Sequence, residues 1–79
     1  MYIADDQLDV RGYNCPIPLL RAKKALAAMR DGQVLKVLTT DAGAEIDFRV
    51  FADAAGHRLI SADWTENVLT ILIEKVFIK

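Results

Sequence analysis

A single cysteine stands in this 79-residue chain, and the run around it, Gly12-Tyr13-Asn14-Cys15-Pro16-Ile17-Pro18, holds the residue types that could do chemistry. One thiol cannot close an internal disulfide, and with no CxxC pair dithiol exchange within the chain is excluded. His57 is the only histidine. A cysteine hydrolase needs a base beside its nucleophile and a third group to orient it, and no spacing here places His57 near Cys15. One Cys and one His do not assemble a structural zinc site either, so neither a metal nor another cofactor is expected. The chemistry left is that of a lone sulfur that accepts a group and hands it on.

The residues on either side place that sulfur. Proline has no backbone N–H, and the first N–H groups of a helix have no intrahelical acceptor, so Pro16 and Pro18 suit a helix start. A residue before proline is pushed off helical angles, so the helix begins either at Pro16 or only at Pro18. Both choices set Cys15 at a helix N-terminus, with Gly12 turning the chain beforehand and keeping the sulfur near the surface. Exposed N–H groups, the helix dipole and nearby basic residues would favour a thiolate or a persulfide anion, so the thiol pKa is expected below its ordinary value. The competing reading is a small buried hydrophobe, the usual fate of a free cysteine.

The rest of the chain supplies elements to hold this segment. Leu8 and Val10 alternate with polar residues over 7–11, a short strand. Leu19, Ala22, Leu26 and Met29 form an apolar stripe at helical spacing, ended by Asp31-Gly32. Val34 to Thr40 reads as a strand buried largely on both faces. Glu45 to Ala55 reads as a second helix with Phe48, Phe51, Ala52 and Ala55 inward, capped by Asp41 or Gly43 and closed by Gly56. Arg58 to Asp63 and Val68 to Val76 read as strands joined by Trp64-Thr65-Glu66-Asn67. The expected fold is α+β: a two-layer α/β sandwich, βαβαββ, with a four-stranded mixed sheet and both helices on one face.

A chain of this length has room for one domain, 1–79, and 53% hydrophobic residues is too many for a disordered segment. The net charge of −1 argues against a whole-surface nucleic-acid binder. Its distribution is uneven, however. Arg11, Arg21, Lys23, Lys24 and Arg30 make residues 11–30 wholly basic, between acidic flanks, and this block surrounds the cysteine. No apolar run approaches the length of a membrane span, and Met1 to Val10 carries three aspartates in place of a basic leader, so a cytoplasmic setting is expected.

The run Leu8-Asp9-Val10-Arg11-Gly12-Tyr13-Asn14-Cys15-Pro16-Ile17-Pro18 resembles the leading motif of the TusA/SirA-like sulfur carriers: a strand bearing aspartate, a glycine turn and a CPxP segment. Asp31-Gly32, Thr40-Asp41, Asp47-Phe48 and Gly56-His57 fall in register with the same family. The resemblance implies a βαβαββ sandwich and a sulfur carrier that takes sulfur as a persulfide on Cys15, shaped by Gly12, Pro16 and Pro18, and relays it onward. Implied partners are a cysteine desulfurase or other donor protein and a downstream acceptor protein, in tRNA thiolation or other sulfur trafficking, with no stable nucleic-acid or membrane partner. Tyr13, Ala42 and Ala52 depart from the family pattern, and Ala52 removes a second thiol found in some relatives.

Arg11, Tyr13, Arg21, Lys24 and Asp41 are the candidate partner-binding residues, the basic ones as groups that steer an acidic partner or stabilise a sulfur anion. The plainer roles are solvation for the basic residues and a helix cap for Asp41. His57 is expected to bond helix-terminal carbonyls, and Trp64 to pack half-buried. Two rival functions stay open: an interaction or regulatory module with an inert thiol, and an RNA-binding domain using the basic block.

Overall fold

In a computed structural model that describes residues 3–76, the elements follow in the order β1 (Asp6–Asp9), α1 (Ile17–Ala27), β2 (Val34–Thr39), α2 (Ala44–Ala55), β3 (Arg58–Thr65) and β4 (Val68–Glu74). The sheet order is β1-β2-β4-β3, with β1 parallel to β2 and the other two pairings antiparallel. This is the expected four-stranded mixed sheet with two helices packed on one face. The parallel pair needs a crossover, and α1 supplies it.

Period two in β2 and β4 decides which face is covered. Leu35, Val37 and Thr39 stand opposite Ile73, Ile71 and Leu69, all fully buried. Their alternates Lys36, Leu38, Thr70 and Leu72 lie half-buried on the far face. So β2 is covered on one side instead of both, because the two helices furnish one layer and nothing in the described chain furnishes a second. Ala22 and Leu26 of α1 and Ala44, Phe48 and Ala52 of α2 close the core from above. Phe48 is its largest buried side chain.

Several boundaries differ from the sequence expectation, each for a local reason. Strand β1 starts one residue earlier and ends at Asp9, although Val10 still donates to Leu38 O at 2.8 Å. Helix α1 ends at Ala27, before Asp31-Gly32, because its last turn tightens into Ala28 N–H to Ala25 O and Met29 N–H to Leu26 O bonds. The Lys75 ammonium then donates to Leu26 O at 2.6 Å. Strand β3 runs on through Trp64 and Thr65, leaving a two-residue turn in place of the four-residue connection. Glu66 and Asn67 take φ of 51° and 66°, the sign a type I′ hairpin turn requires at both central positions. Helix α2 is capped by Gly43 and ends at Gly56, whose φ of 79° is the left-handed conformation glycine adopts without a Cβ clash.

His57 does not bond a helix carbonyl. Its Nδ1 accepts from Val76 N–H at 3.1 Å while its ring meets Phe51 edge-on at 5.5 Å. Burial, then the Lys75 charge, lowers its pKa below the ordinary histidine value. Trp64 is 46% exposed, close to the half-buried packing expected.

Replacing Phe48 with Ala should destabilise the protein by about 3–5 kcal/mol, because the cavity beneath α2 is roofed by rigid helix and floored by sheet. Urea unfolding should show the loss as a lower midpoint at unchanged slope.

Candidate functional site at the thiol

Parallel pairing of β1 with β2 sends the two following loops out at the same edge of the sheet. The loop after β1 carries Gly12 to Pro16, and the loop after β2 carries Thr40 to Gly43. A hydrogen bond from Gly12 N–H to Thr40 Oγ1, 2.9 Å, ties one loop to the other. Gly12 has φ of +85°, which reverses the chain after Val10 and would strain any L side chain. From there Tyr13 N–H donates to Val10 O and Ile17 N–H to Asn14 O, bringing Cys15 to the mouth of α1. Pro16 is the N-cap residue, behind a cis Cys15–Pro16 bond, and α1 begins at Ile17. Ile17 is helical despite preceding Pro18.

The sulfur is exposed, as expected. Its surroundings are not as expected. The Cys15 Sγ and the carboxylates of Asp41 and Asp47 all lie within 4.8 Å of one another. Hydrogen bonding toward Asp47, then desolvation, the Asp47 charge and the Asp41 charge raise the thiol pKa above its ordinary value. The expectation of a lowered pKa is therefore overturned. Two physical reasons account for the reversal. Pro16 and Pro18 bring no N–H to the helix start, and those of Ile17 and Leu20 are already bonded to Asn14 O and Pro16 O. The start of α2 also meets the sulfur, and it arrives carrying Asp47 in its first turn, where the helix dipole favours an acid.

The basic residues are engaged elsewhere. Arg11 donates through Nε and Nη2 to the two carboxylate oxygens of Asp9, at 2.9 and 2.7 Å. Arg21 lies over the Tyr13 ring, 4.6 Å from its centroid, and Lys23 over Phe51 at 5.4 Å. Lys24 is exposed on α1. Thus Arg21 and Tyr13 come together, Arg11 turns back to its own strand, and no basic group is among those shifting the sulfur. Asp41 is not the N-cap, which is Gly43. Its Oδ1 accepts from Gly43 N–H at 3.4 Å and its carbonyl from Ala44 N–H at 3.2 Å, so it shapes the loop into α2 while facing the thiol.

Asp47 is the site residue that sequence reasoning missed. Its signal was present: it precedes the core residue Phe48 on the first turn of a helix that starts from the same sheet edge as Cys15. Three donor atoms of mixed type beside solvent fall short of the closed four-ligand set of a structural zinc centre. A rim of exposed apolar side chains, Tyr13, Ile17, Leu20, Ile46 and Val50, lies on the segments that carry the cluster. Among the described residues no helix is long and apolar enough to cross a membrane.

An exposed thiol at a proline-started helix, beside two loops leaving a parallel strand pair, defines a small α+β thiol protein. Residues 6–75 match the family Sulfurtransferase TusA, and the chain belongs to that family. It is 46% identical over 71 residues to the sulfur carrier protein TusA of Allochromatium vinosum, covering 90% of this chain and 93% of that one. It is 49% identical over 69 residues to a protein of Neisseria meningitidis named as a candidate sulfur carrier, covering 87% and 93% of the two chains. The crystal structure of a SirA-like protein from Desulfitobacterium hafniense superposes with a TM-score of 0.79 at 28% identity, over 91% of this chain and 99% of that one.

The Arg11–Asp9 pair yields a pH prediction. The guanidinium hydrogen bonds, followed by the Arg11 backbone N–H, lower the Asp9 pKa from 3.8 to about 2. A depressed folded-state value means the pair's contribution is complete above the unfolded pKa and is lost as pH falls through the folded one. NMR titration of the Asp9 carboxyl should give a midpoint near 2, and Arg11→Ala should return it toward the ordinary carboxylate range.

Proposed function

We propose that this protein is a sulfur carrier that takes sulfur as a persulfide on Cys15 and passes it to an acceptor protein. The observation that carries the reading is the exposed Cys15 sulfur at the mouth of α1, within the Cys-Pro-Ile-Pro segment of a chain belonging to the TusA family. In the loading step the Cys15 thiolate attacks the outer sulfur of a persulfide on the donor protein. A new S–S bond forms on Cys15 as the donor's S–S bond breaks. The donor cysteine leaves as a thiolate and takes up the proton Cys15 gave away, so no oxidant or reductant is consumed. Delivery is the same exchange run toward an acceptor thiol. Such a step needs an accessible sulfur and few other catalytic groups, which fits a site without a neighbouring histidine.

Donor and acceptor must both reach one small sulfur. The exposed side chains of Tyr13, Ile17, Leu20, Ile46 and Val50 give them an apolar surface to close over it and exclude water, and Arg21, stacked on Tyr13, and Lys24 add positive charge alongside. A cysteine desulfurase is the donor whose chemistry suits this step, since it generates a protein persulfide. Sulfur destined for tRNA thiolation is one use of the cargo.

The raised thiol pKa favours a second reading, an interaction module whose thiol is inert. One experiment separates the two. Incubation with a desulfurase and cysteine, followed by intact mass spectrometry without reductant, should show one sulfur atom added to the wild-type chain and none to Cys15→Ser. Because Cys15 lies outside the core, the Ser variant should unfold at the same urea concentration as the parent. Sulfur retained on a folded Cys15→Ser chain would assign the cargo to another group.

A further inference from the structure

The thiol, the Asp41 carboxylate and the Asp47 carboxylate form one cluster, and an anionic sulfur within it would be a third negative charge. From this geometry we propose that Asp47, seconded by Asp41, is a positioning residue that anchors the Cys15 sulfur against α2 and keeps it protonated in the unloaded protein. The inference rests on the reading of Cys15 as the carrier sulfur for its purpose, but its physics concerns the thiol alone.

Every element around the sulfur agrees with this assignment. In the loop after β1, Arg11 is held by Asp9. On α1, Arg21 is stacked on Tyr13 and Lys23 on Phe51. The Asp41 carboxylate in the loop after β2 and the Asp47 carboxylate on α2 both lie within 4.8 Å of the thiol, while Glu45 pairs with Arg49 at 3.1 Å. The charged groups that shift the sulfur are two carboxylates, and both disfavour a thiolate. Backbone geometry holds both in place: Asp41 is bonded into its turn through Gly43 and Ala44, and Asp47 N–H donates to Gly43 O at 3.2 Å within the first turn of α2. Asp47 and Asp41 are also only partly exposed, so water screens them less than it would free surface acids.

The consequence is a guarded sulfur. The thiol, not the thiolate, dominates near neutral pH, and oxidation or alkylation of the idle carrier is slowed, since both require the ionised form. Loading by a persulfide donor should then accelerate with pH through the thiol's own ionisation.

The test is the pH profile of Cys15 alkylation by iodoacetamide in wild type, Asp47→Asn, Asp41→Asn and the control Asp53→Asn, which removes the same charge farther along α2. Asp47→Asn should lower the midpoint by about one unit and Asp41→Asn by less. At neutral pH a one-unit drop raises the thiolate population about tenfold, and the lower nucleophilicity of the more acidic thiol trims the gain in rate to about three- to fourfold. Asp53→Asn should leave both unchanged. An unaltered or higher midpoint in folded Asp47→Asn and Asp41→Asn, or an equal drop in Asp53→Asn, would overturn the proposal. Should wild type gain no sulfur from a desulfurase while the Asp47→Asn midpoint still falls, the carrier reading fails and the electrostatic one is upheld.

Discussion

The parallel alignment of β1 with β2 is the constraint on which the site depends. Two strands running the same way must release their following loops at one edge, and in this protein those loops carry the thiol and one of its carboxylates. The Gly12–Thr40 hydrogen bond clips them together, and each loop then feeds a helix whose first turn begins beside the sulfur. Had the strands been antiparallel, Cys15 and Asp41 would stand at opposite ends of the sheet. The antiparallel partners β4 and β3 contribute no site residue. They supply the buried face, Leu69, Ile71 and Ile73, against which Phe48 and Leu26 press the helices into register.

Convergence of two helix starts on one sulfur would by itself favour an anion. The protein spends that field on carboxylates. Asp47 occupies the favourable end of α2, its negative charge settled by the helix, and turns that charge on the neighbouring thiol. At the start of α1 the prolines remove donors that could have bonded a thiolate. Opposed tendencies therefore meet at one place: the thiol is exposed beside segments that bear exposed apolar side chains, while two carboxylates raise its pKa. A site that is accessible and electrostatically quiet suits a protein whose cargo is acquired and surrendered in contact with others.

Much of this was legible beforehand. The stripe Leu19, Ala22, Leu26, Met29 and the alternation in β4 are short-range patterns, and local pattern alone carried the element order and the two-layer arrangement. The position of Cys15 before α1 was legible for the same reason, since proline acts on its immediate neighbours. Boundaries slipped where a distant residue intervened: Lys75 reaches Leu26 O at the end of α1, and strand pairing extends β3 to Thr65, shrinking the turn to Glu66-Asn67.

The ionisation of the thiol was not legible. From the chain alone the cysteine sits in a wholly basic stretch, and a lowered pKa follows from counting near neighbours. In the folded protein Arg11 has closed on Asp9, Arg21 on Tyr13 and Lys23 on Phe51, while Asp41 and Asp47, 26 and 32 positions along the chain, have come within reach of the sulfur. Sequence by itself determined which residues form helices and strands and that the lone thiol precedes a helix, because those depend on neighbours along the backbone. The charge that surrounds this sulfur was decided by tertiary structure alone, because electrostatic interaction follows distance in space and the fold sets that distance.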